Sequence, residues 1–354
     1  MKTSTKGLTV KRALVLGGGG ARGSYQVGML HSLVIDQGLD FQIIRGISVG
    51  ALNASFLAQA PTQQNSLKSL QDRVVDLERL WLDEIKGNHS VYGERAGGLL
   101  GLVAGADSLY SLDPLDRLLE EHLSLPALRK SGRDFKVGTV SLVRGVYEEW
   151  EPKNAKFIEK VLASASIPVV FPFVRNSTAK DVLVDGGVRN ITPLSSAFEA
   201  EPDEIYVLLT SRLVRSGDDL PASGVQEQSY QQWDENWLGT KVSGLDVLKR
   251  TVEILTDEVY LDDIRAALAW NEVLKGIGDV VRTAAGGSLS APLAEAIGRL
   301  ETATRKRQVP IHVLAPQEWY GLDNSSTEFS PVLIRAAIEH GKQIGADPAR
   351  WLLP

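Results

Sequence analysis

Over the first sixty positions, short apolar runs that end in glycine alternate with stretches whose apolar residues recur every three or four positions. Arg12–Leu16 (RALVL) runs into Gly17–Gly20, which predicts a buried strand entering a turn. From Gly23 the spacing becomes helical, with Val27, Leu30 and Val34 on one side, Met29 and Leu33 beside them, and Gly38 as the stop. Phe41–Ile47 (FQIIRGI) predicts a second strand, and after Ser48 the stretch Ala51–Gln59 returns to helical character. The order strand–glycine loop–helix–strand–tight turn–helix implies α/β organisation with parallel strands.

The later pattern continues this theme. Ser66–Ile85 predicts an amphipathic helix with Leu67, Leu70, Val74, Leu77 and Trp81 on one side, and Pro114–Leu125 predicts another. Phe135–Val143 and Gly145–Glu151 read as an antiparallel pair turning at Arg144-Gly145, followed by a short helix over Lys156–Ala165. Ile167–Phe173 (IPVVFPF) is apolar but carries two prolines, so a fixed loop is expected there rather than a central strand. Val182–Val184, Ile205–Thr210 and Val309–Leu314 predict short buried strands, and Gly244–Ile277 a long helical stretch. The polar run Ser216–Gln232 is the expected mobile excursion. The fold class expected is α/β, with a mostly parallel central sheet sandwiched by helices and a helical C-terminal extension.

Composition narrows the chemistry. The 354 residues carry a net charge of −6, which argues against a nucleic-acid partner, since that would call for a basic field. There is no cysteine, hence no disulfide framework, thiolate metal site or cysteine nucleophile. The five histidines (His31, His89, His122, His312 and His340) are scattered, with no pair four residues apart, so no metal site is expected. No run reaches the roughly 18 to 20 apolar residues of a membrane span; the apolar stretch Ala96–Ala106 (AGGLLGLVAGA) is too short and glycine-rich. The basic start MKTSTKGLTVKR leads into no hydrophobic signal core, so a cytoplasmic protein is expected.

Two glycine-bounded turns carry the candidate chemistry. Gly18, Gly20 and Gly23 satisfy G-x-G-x-x-G between a strand and a helix, the context of a dinucleotide site. That design places an acidic residue at the end of the second strand, but Ile44–Ser48 holds none, and Asp40 lies at the strand's start. Successive glycines at a helix N-terminus also expose N–H groups able to hold a phosphate or an oxyanion. An oxyanion requires a nucleophile close by. Gly46-Ile47-Ser48-Val49-Gly50 (G-x-S-x-G) supplies one where the second strand turns into a helix, the geometry that lifts a serine hydroxyl above a sheet. Both turns would then open on the same C-terminal edge of a parallel sheet.

Serine needs a base. In the order Ser…Asp…His, either His312, mid-strand in an apolar run, or His340, which follows a helical run and is expected to be exposed, would complete a triad. The rival is Asp185, at the end of a short apolar strand and before Gly186-Gly187. By itself, Asp-Gly is also a common turn pair.

Together these segments resemble the patatin-like phospholipases. Gly18-Gly19-Gly20-Ala21-Arg22-Gly23, Gly46-Ile47-Ser48-Val49-Gly50 and Asp185-Gly186-Gly187 are similar to the family's G-G-G-x-[RK]-G, G-x-S-x-G and D-G-[GA] motifs, in that order. Ala163–Phe173 resembles the segment that precedes the aspartate, with Phe173 where a second proline is usual, and Asn190 and Pro193 continue the pattern. The resemblance covers residues 12–210 as a catalytic domain of a three-layer fold, leaving 211–354 as a helical extension that completes the same domain, with two alternatives open for it: lining the acyl site or merely completing the fold. It implies a lipid or acyl-ester substrate and a histidine-free dyad, with Ser48 as nucleophile and Asp185 as base. Gly18, Gly19 and Gly20 would form the oxyanion hole, the last two by their N–H groups. Arg22 would steady the loop or meet a lipid phosphate. No cofactor or metal is implied. The alternatives are a Ser-Asp-His esterase and a non-catalytic nucleotide-binding module, and the second would be expected to lack the serine or the aspartate. Peripheral membrane contact would run either through an apolar cap at Gly97–Ala106, whose alternative is an internal loop packed over the sheet, or through the acid-free start containing Lys2, Lys6, Lys11, Arg12 and Arg22, whose alternative is a solvated tail plus one motif arginine.

Overall fold

A computed structural model of the chain describes residues 10–63, 65–95, 101, 104–176, 180–211, 213–215 and 225–227, scattered positions from 264 to 299, then 308–317 and 326–352. Strands β1 (Arg12–Leu16) and β2 (Ile43–Gly46) pair in parallel, each followed by a helix, α1 (Gly23–Leu30) and α2 (Val49–Leu57). Both strands are buried on both faces and apolar apart from Arg12, which pairs with Glu204, and Arg45, which is held by Ser196 and Asp134. Helix α3 (Ser66–Arg79) buries Leu70, Val74 and Leu77, and its stripe runs on through a π-turn to Trp81. A small separate ribbon, β3 (Gly93–Glu94) with β4 (Tyr110–Ser111), leads to α4 (Asp113–His122) and α5 (Leu125–Lys130).

The sheet then changes character. Strand β5 (Asp134–Ser141) lies parallel to β2, and β6 (Val146–Trp150) folds back on it as an antiparallel hairpin. After α6 (Phe157–Ser164), β7 (Val174–Asn176) and β8 (Asp181–Asp185) form an antiparallel pair, with β8 antiparallel to the end of β5. Helix α7 (Leu194–Glu199) returns the chain to β9 (Glu204–Leu208), parallel to β1. A ribbon of β10 (Leu213–Arg215) and β11 (Val225–Glu227) stands apart, and β12 (Ile311–Leu314) adds a parallel edge beside β9. The order β12-β9-β1-β2-β5-β8-β7 gives a mixed, mostly parallel sheet with helices against it, the fold class the sequence predicts.

Each face of the sheet carries its own apolar cluster: α1 to α3 pack on one, and Ile191, Leu194, Phe198 and the described residues Ile264 and Ala267 on the other. The last helix, α8 (Pro331–Ala346), crosses α1 at very short range. A side chain at Gly28 would collide with the Ile338 carbonyl, and one at Gly341 with the Tyr25 carbonyl. This approach turns His340 inward, contrary to the exposure expected from sequence. The residue is buried mid-helix, its ring edge-on to Tyr25, and Nε2 accepts the Gln317 N–H at 3.1 Å.

Several expectations lie wholly or largely outside the described residues. These are the basic start before residue 10, most of Gly97–Ala106 and of Ser216–Gln232, and Gly244–Ile277 except for helical positions from 264 onward. Among the described residues, no helix is long and apolar enough to cross a membrane.

Candidate active site

The parallel register Leu16↔Gly46 brings the turn after β1 and the turn after β2 to one edge of the sheet. Ser48 sits in the second turn with φ 54° and ψ −130°, a conformation that costs a non-glycine residue roughly 1–3 kcal/mol. The surroundings over-determine it. Ser48 N–H donates to the Ser164 hydroxyl at 3.1 Å, and the Ser48 carbonyl accepts from Ala51 N–H at 2.8 Å. Gly46 and Gly50 permit the turn, because a side chain at either would strike backbone: Gly50 carbonyl for the first, Leu16 and Gly17 carbonyls for the second. Gly23 likewise leaves room for Val49, and a Cβ on Gly18 would come within 3.0 Å of the Ser48 Cβ.

The glycine loop is fixed from three sides. Thr210 donates its hydroxyl to the Gly18 carbonyl, Arg22 Nε donates to the Gly19 carbonyl at 3.4 Å, and Ser326 takes the Ala21 N–H at 2.7 Å. Arg22 is buried against its own loop. Gly19 (φ 143°) and Gly20 (φ 58°) hold conformations that side chains rarely adopt. Among the described residues their N–H groups donate no hydrogen bond. They therefore remain available to a ligand.

Asp185 arrives from the opposite direction. Val137 of β5 pairs with Gly46, and Thr139 pairs with Asp185, so the aspartate stands two residues beyond the end of β2, as Ser48 does. Asp185 N–H donates to the Ser166 carbonyl at 2.9 Å, and Oδ1 accepts from Gly187 N–H at 2.7 Å. Oδ2 is buried without a hydrogen bond of good geometry, although the nearby Ser48 hydroxyl favours the charged carboxylate. Burial outweighs this hydroxyl and the Gly187 N–H, and pushes the Asp185 pKa up to about 7. Gly186 is required because a Cβ there would come within 2.6 Å of the Gly138 carbonyl.

Ser164 and Ser166 are the residues to which sequence reasoning gave no task. One end of α6 holds both Ser48, through a hydroxyl, and Asp185, through a carbonyl. The signal lay in the run Ala163–Ser166 (ASAS), where two serines interrupt an otherwise apolar helix end.

From Ser48 a cavity of about 870 Å³, counting its open mouth, extends between the helices. Its walls are apolar, including Leu52, Phe56, Leu77, Trp81, Leu115 and Leu119, with Phe329 stacked on Trp81 at 6.3 Å. Gly20 lies at the same end as Ser48, beside Ser326 and Thr327. In the described part of 211–354, it is this 326–329 segment that lines the cavity, whereas Ile264 and Ala267 pack on the other face of the sheet. Asn53, also in the wall, accepts from Trp81 Nε1 at 3.0 Å and donates to Gln26, which in turn donates to the Gly17 carbonyl at 2.8 Å. A polar chain thus ties the cavity wall to the glycine loop.

Neither candidate histidine reaches Ser48. His312 on β12 is separated from β2 by β9 and β1, about 14 Å at normal strand spacing, and its ring packs 4.5 Å from that of Tyr206. Asp40 pairs with Arg133 at 3.0 Å, away from the glycine loop. Among the described residues, one group has the spacing of a metal site: Glu84, Glu121 and His122, whose ligand atoms lie within 4.8 Å of one another. It is largely exposed, and His122 is already paired with Glu84 at 2.8 Å.

Residues 14–198 match the family model described as patatin-like phospholipase, which spans just over half of the chain. Among solved structures, VipD from Legionella pneumophila is similar at 14% identity and a TM-score of 0.39, over 95% of this chain and 66% of that one. A chain of the complex of full-length SpcU with full-length ExoU, from the type III secretion system of Pseudomonas aeruginosa, is similar at 14% identity and a TM-score of 0.29, over 84% of this chain. The present chain thus spans 66% and 60% of the lengths of those two. No curated protein matches it.

Proposed function

We propose that this chain, which belongs to the patatin-like phospholipase family, cleaves carboxylic esters of phospholipids or lysophospholipids through an acyl-enzyme on Ser48. The observation that carries the reading is the junction of three features: a serine held at φ 54°, a buried aspartate beside it, and an apolar cavity beginning at that serine. The cavity accepts an acyl chain, and its walls offer little to a polar substrate.

In this reading Ser48 Oγ attacks the ester carbonyl carbon as Asp185 takes the hydroxyl proton. The carbonyl oxygen becomes an oxyanion facing the N–H groups of Gly19 and Gly20, with Gly18 shaping the loop and Arg22 bracing it. Collapse expels the alcohol, which receives the proton from Asp185. Water then repeats the cycle on the acyl-enzyme, releasing the fatty acid and restoring both residues. A base with a pKa of about 7 is better matched to this task than an ordinary carboxylate. Peripheral attachment to a lipid surface is part of the proposal. A panel of phospholipid and lysophospholipid esters tests it: the wild type should release fatty acid, and Ser48→Ala should not. Equal release by the variant contradicts the assignment.

A further inference from the structure

Seven large apolar side chains are exposed among the described residues, and four of them gather at one place. Leu142, Val143 and Val146 form the turn between β5 and β6, with Leu142 51% and Val143 63% exposed. Val188 follows Asp185 by three residues, and the next residue, Arg189, donates to the Gly145 carbonyl in that turn. The two segments are therefore one surface.

Its position follows from the topology. Strand β5 is parallel to β2, and Thr139 lies level with Asp185. Ser141 is two residues further on, so the turn stands about 7 Å or more beyond the site, past the same sheet edge on which Ser48 opens. Strands β7 and β8 bring Arg175 and Lys180 to this end as well, since Asn176 pairs with Asp181 and Leu142 N–H donates to the Val182 carbonyl.

The charge leans one way, because the two acids of this end, Glu148 and Asp181, are both paired with Arg144. Arg175, Lys180 and Arg189 make no ion pair among the described residues. Asp181 is buried beneath Arg144 and consumed by it, together with Ser141 and the Val182 N–H. A chain with a net charge of −6 thus presents, beside its candidate site, an apolar tip flanked by cations that make no ion pair among the described residues, Arg175 lying over the Phe173 ring at 4.8 Å. Aliphatic side chains that enter the acyl boundary, surrounded by cations at headgroup depth, suit an anionic bilayer.

We infer that this tip, Leu142–Val146 with Val188 and its flanking cations, docks the protein on the surface of an anionic phospholipid bilayer. The inference rests on the proposed lipid hydrolase reading and adds the face that meets the lipid. Full-length Ser48→Ala protein, which leaves the lipid intact, is to be sedimented with vesicles of phosphatidylcholine alone or mixed with phosphatidylserine. The parent should bind the mixed vesicles. Adding Leu142→Ser with Val143→Ser should weaken that binding by roughly tenfold. Adding Lys180→Glu should weaken it by about fivefold or more, and only on anionic vesicles. In the Ser48 background, both changes should leave hydrolysis of a soluble short-chain ester unaltered. Vesicle binding unchanged by either variant overturns the inference; so does a parent that binds no vesicles, which would reassign the tip to a protein partner. Absent hydrolysis of the soluble ester in the wild type rejects the enzyme reading instead, and the Ser48→Ala binding result is read independently of it.

Discussion

The two halves of the sheet deliver their side chains by opposite means. On the parallel side, β1 and β2 end together, and glycines compress the turns that follow until Ser48 and the glycine loop have almost no freedom. On the antiparallel side, Asp185 is placed by register: β5 outruns β2, and β8 returns along the overhang to stop opposite Thr139. One half relies on local crowding and the other on long-range pairing. The end of α6 joins them, because Ser164 and Ser166 each bond to one member of the pair.

The largest effects should come from the two residues themselves. Ser48→Ala is expected to abolish ester hydrolysis, and Asp185→Asn to reduce kcat by about 10³-fold or more in a folded protein, read by steady-state kinetics. The two variants should differ in stability. Burial raises the Asp185 pKa in the folded state to about 7, well above its unfolded value, so the folded form binds more protons in between. Stability from this group therefore falls as pH rises through that window. Asp185→Asn should raise Tm at pH 8 and change it little at pH 4, whereas Ser48→Ala should show no such dependence on pH.

Smaller effects separate crowding from register. Gly20→Ala would collide with Ser326 at a φ that alanine rarely adopts, and should lower kcat by roughly 10²-fold with a fall in Tm. Ser164→Ala leaves the Ser48 N–H without its partner, a loss of about 1–3 kcal/mol if the group stays buried. Ser166→Ala keeps the carbonyl that holds Asp185 and removes only a hydroxyl bond to Leu162, so it should be distinctly milder. Equal losses in the two variants would dissolve the proposed division of labour at the end of α6. The smallest effect is expected for His312→Gln, whose kcat/KM should match the wild type, because the ring lies three strands from Ser48.

The same contrast explains what the sequence could reveal. Glycines that must pack against backbone are visible as letters, so the loop at Gly17–Gly20 and the elbow at Gly46–Gly50 could be read directly, with their flanking strands. Asp185 could be singled out by its glycines, but joined to Ser48 only through the family resemblance, because strand register is a property of distant residues. The bond from Ser48 to Ser164 spans 116 positions, and nothing local to either residue announces it. His340 misled for the converse reason: its burial depends on Gly28 in another helix, not on its own neighbours. The 326–329 wall of the cavity has no motif at all and is recruited by contacts such as Tyr92 to the Thr327 carbonyl.

The central claim is that Asp185, and no histidine, activates Ser48. The rate at which a fluorophosphonate modifies Ser48, followed by mass spectrometry across pH, tests it most directly. The account predicts labelling confined to Ser48, rising with pH to half its maximum near the Asp185 value of about 7, with that pH-dependent rise lost in Asp185→Asn. Labelling at another residue, or an unchanged profile in Asp185→Asn, would contradict it.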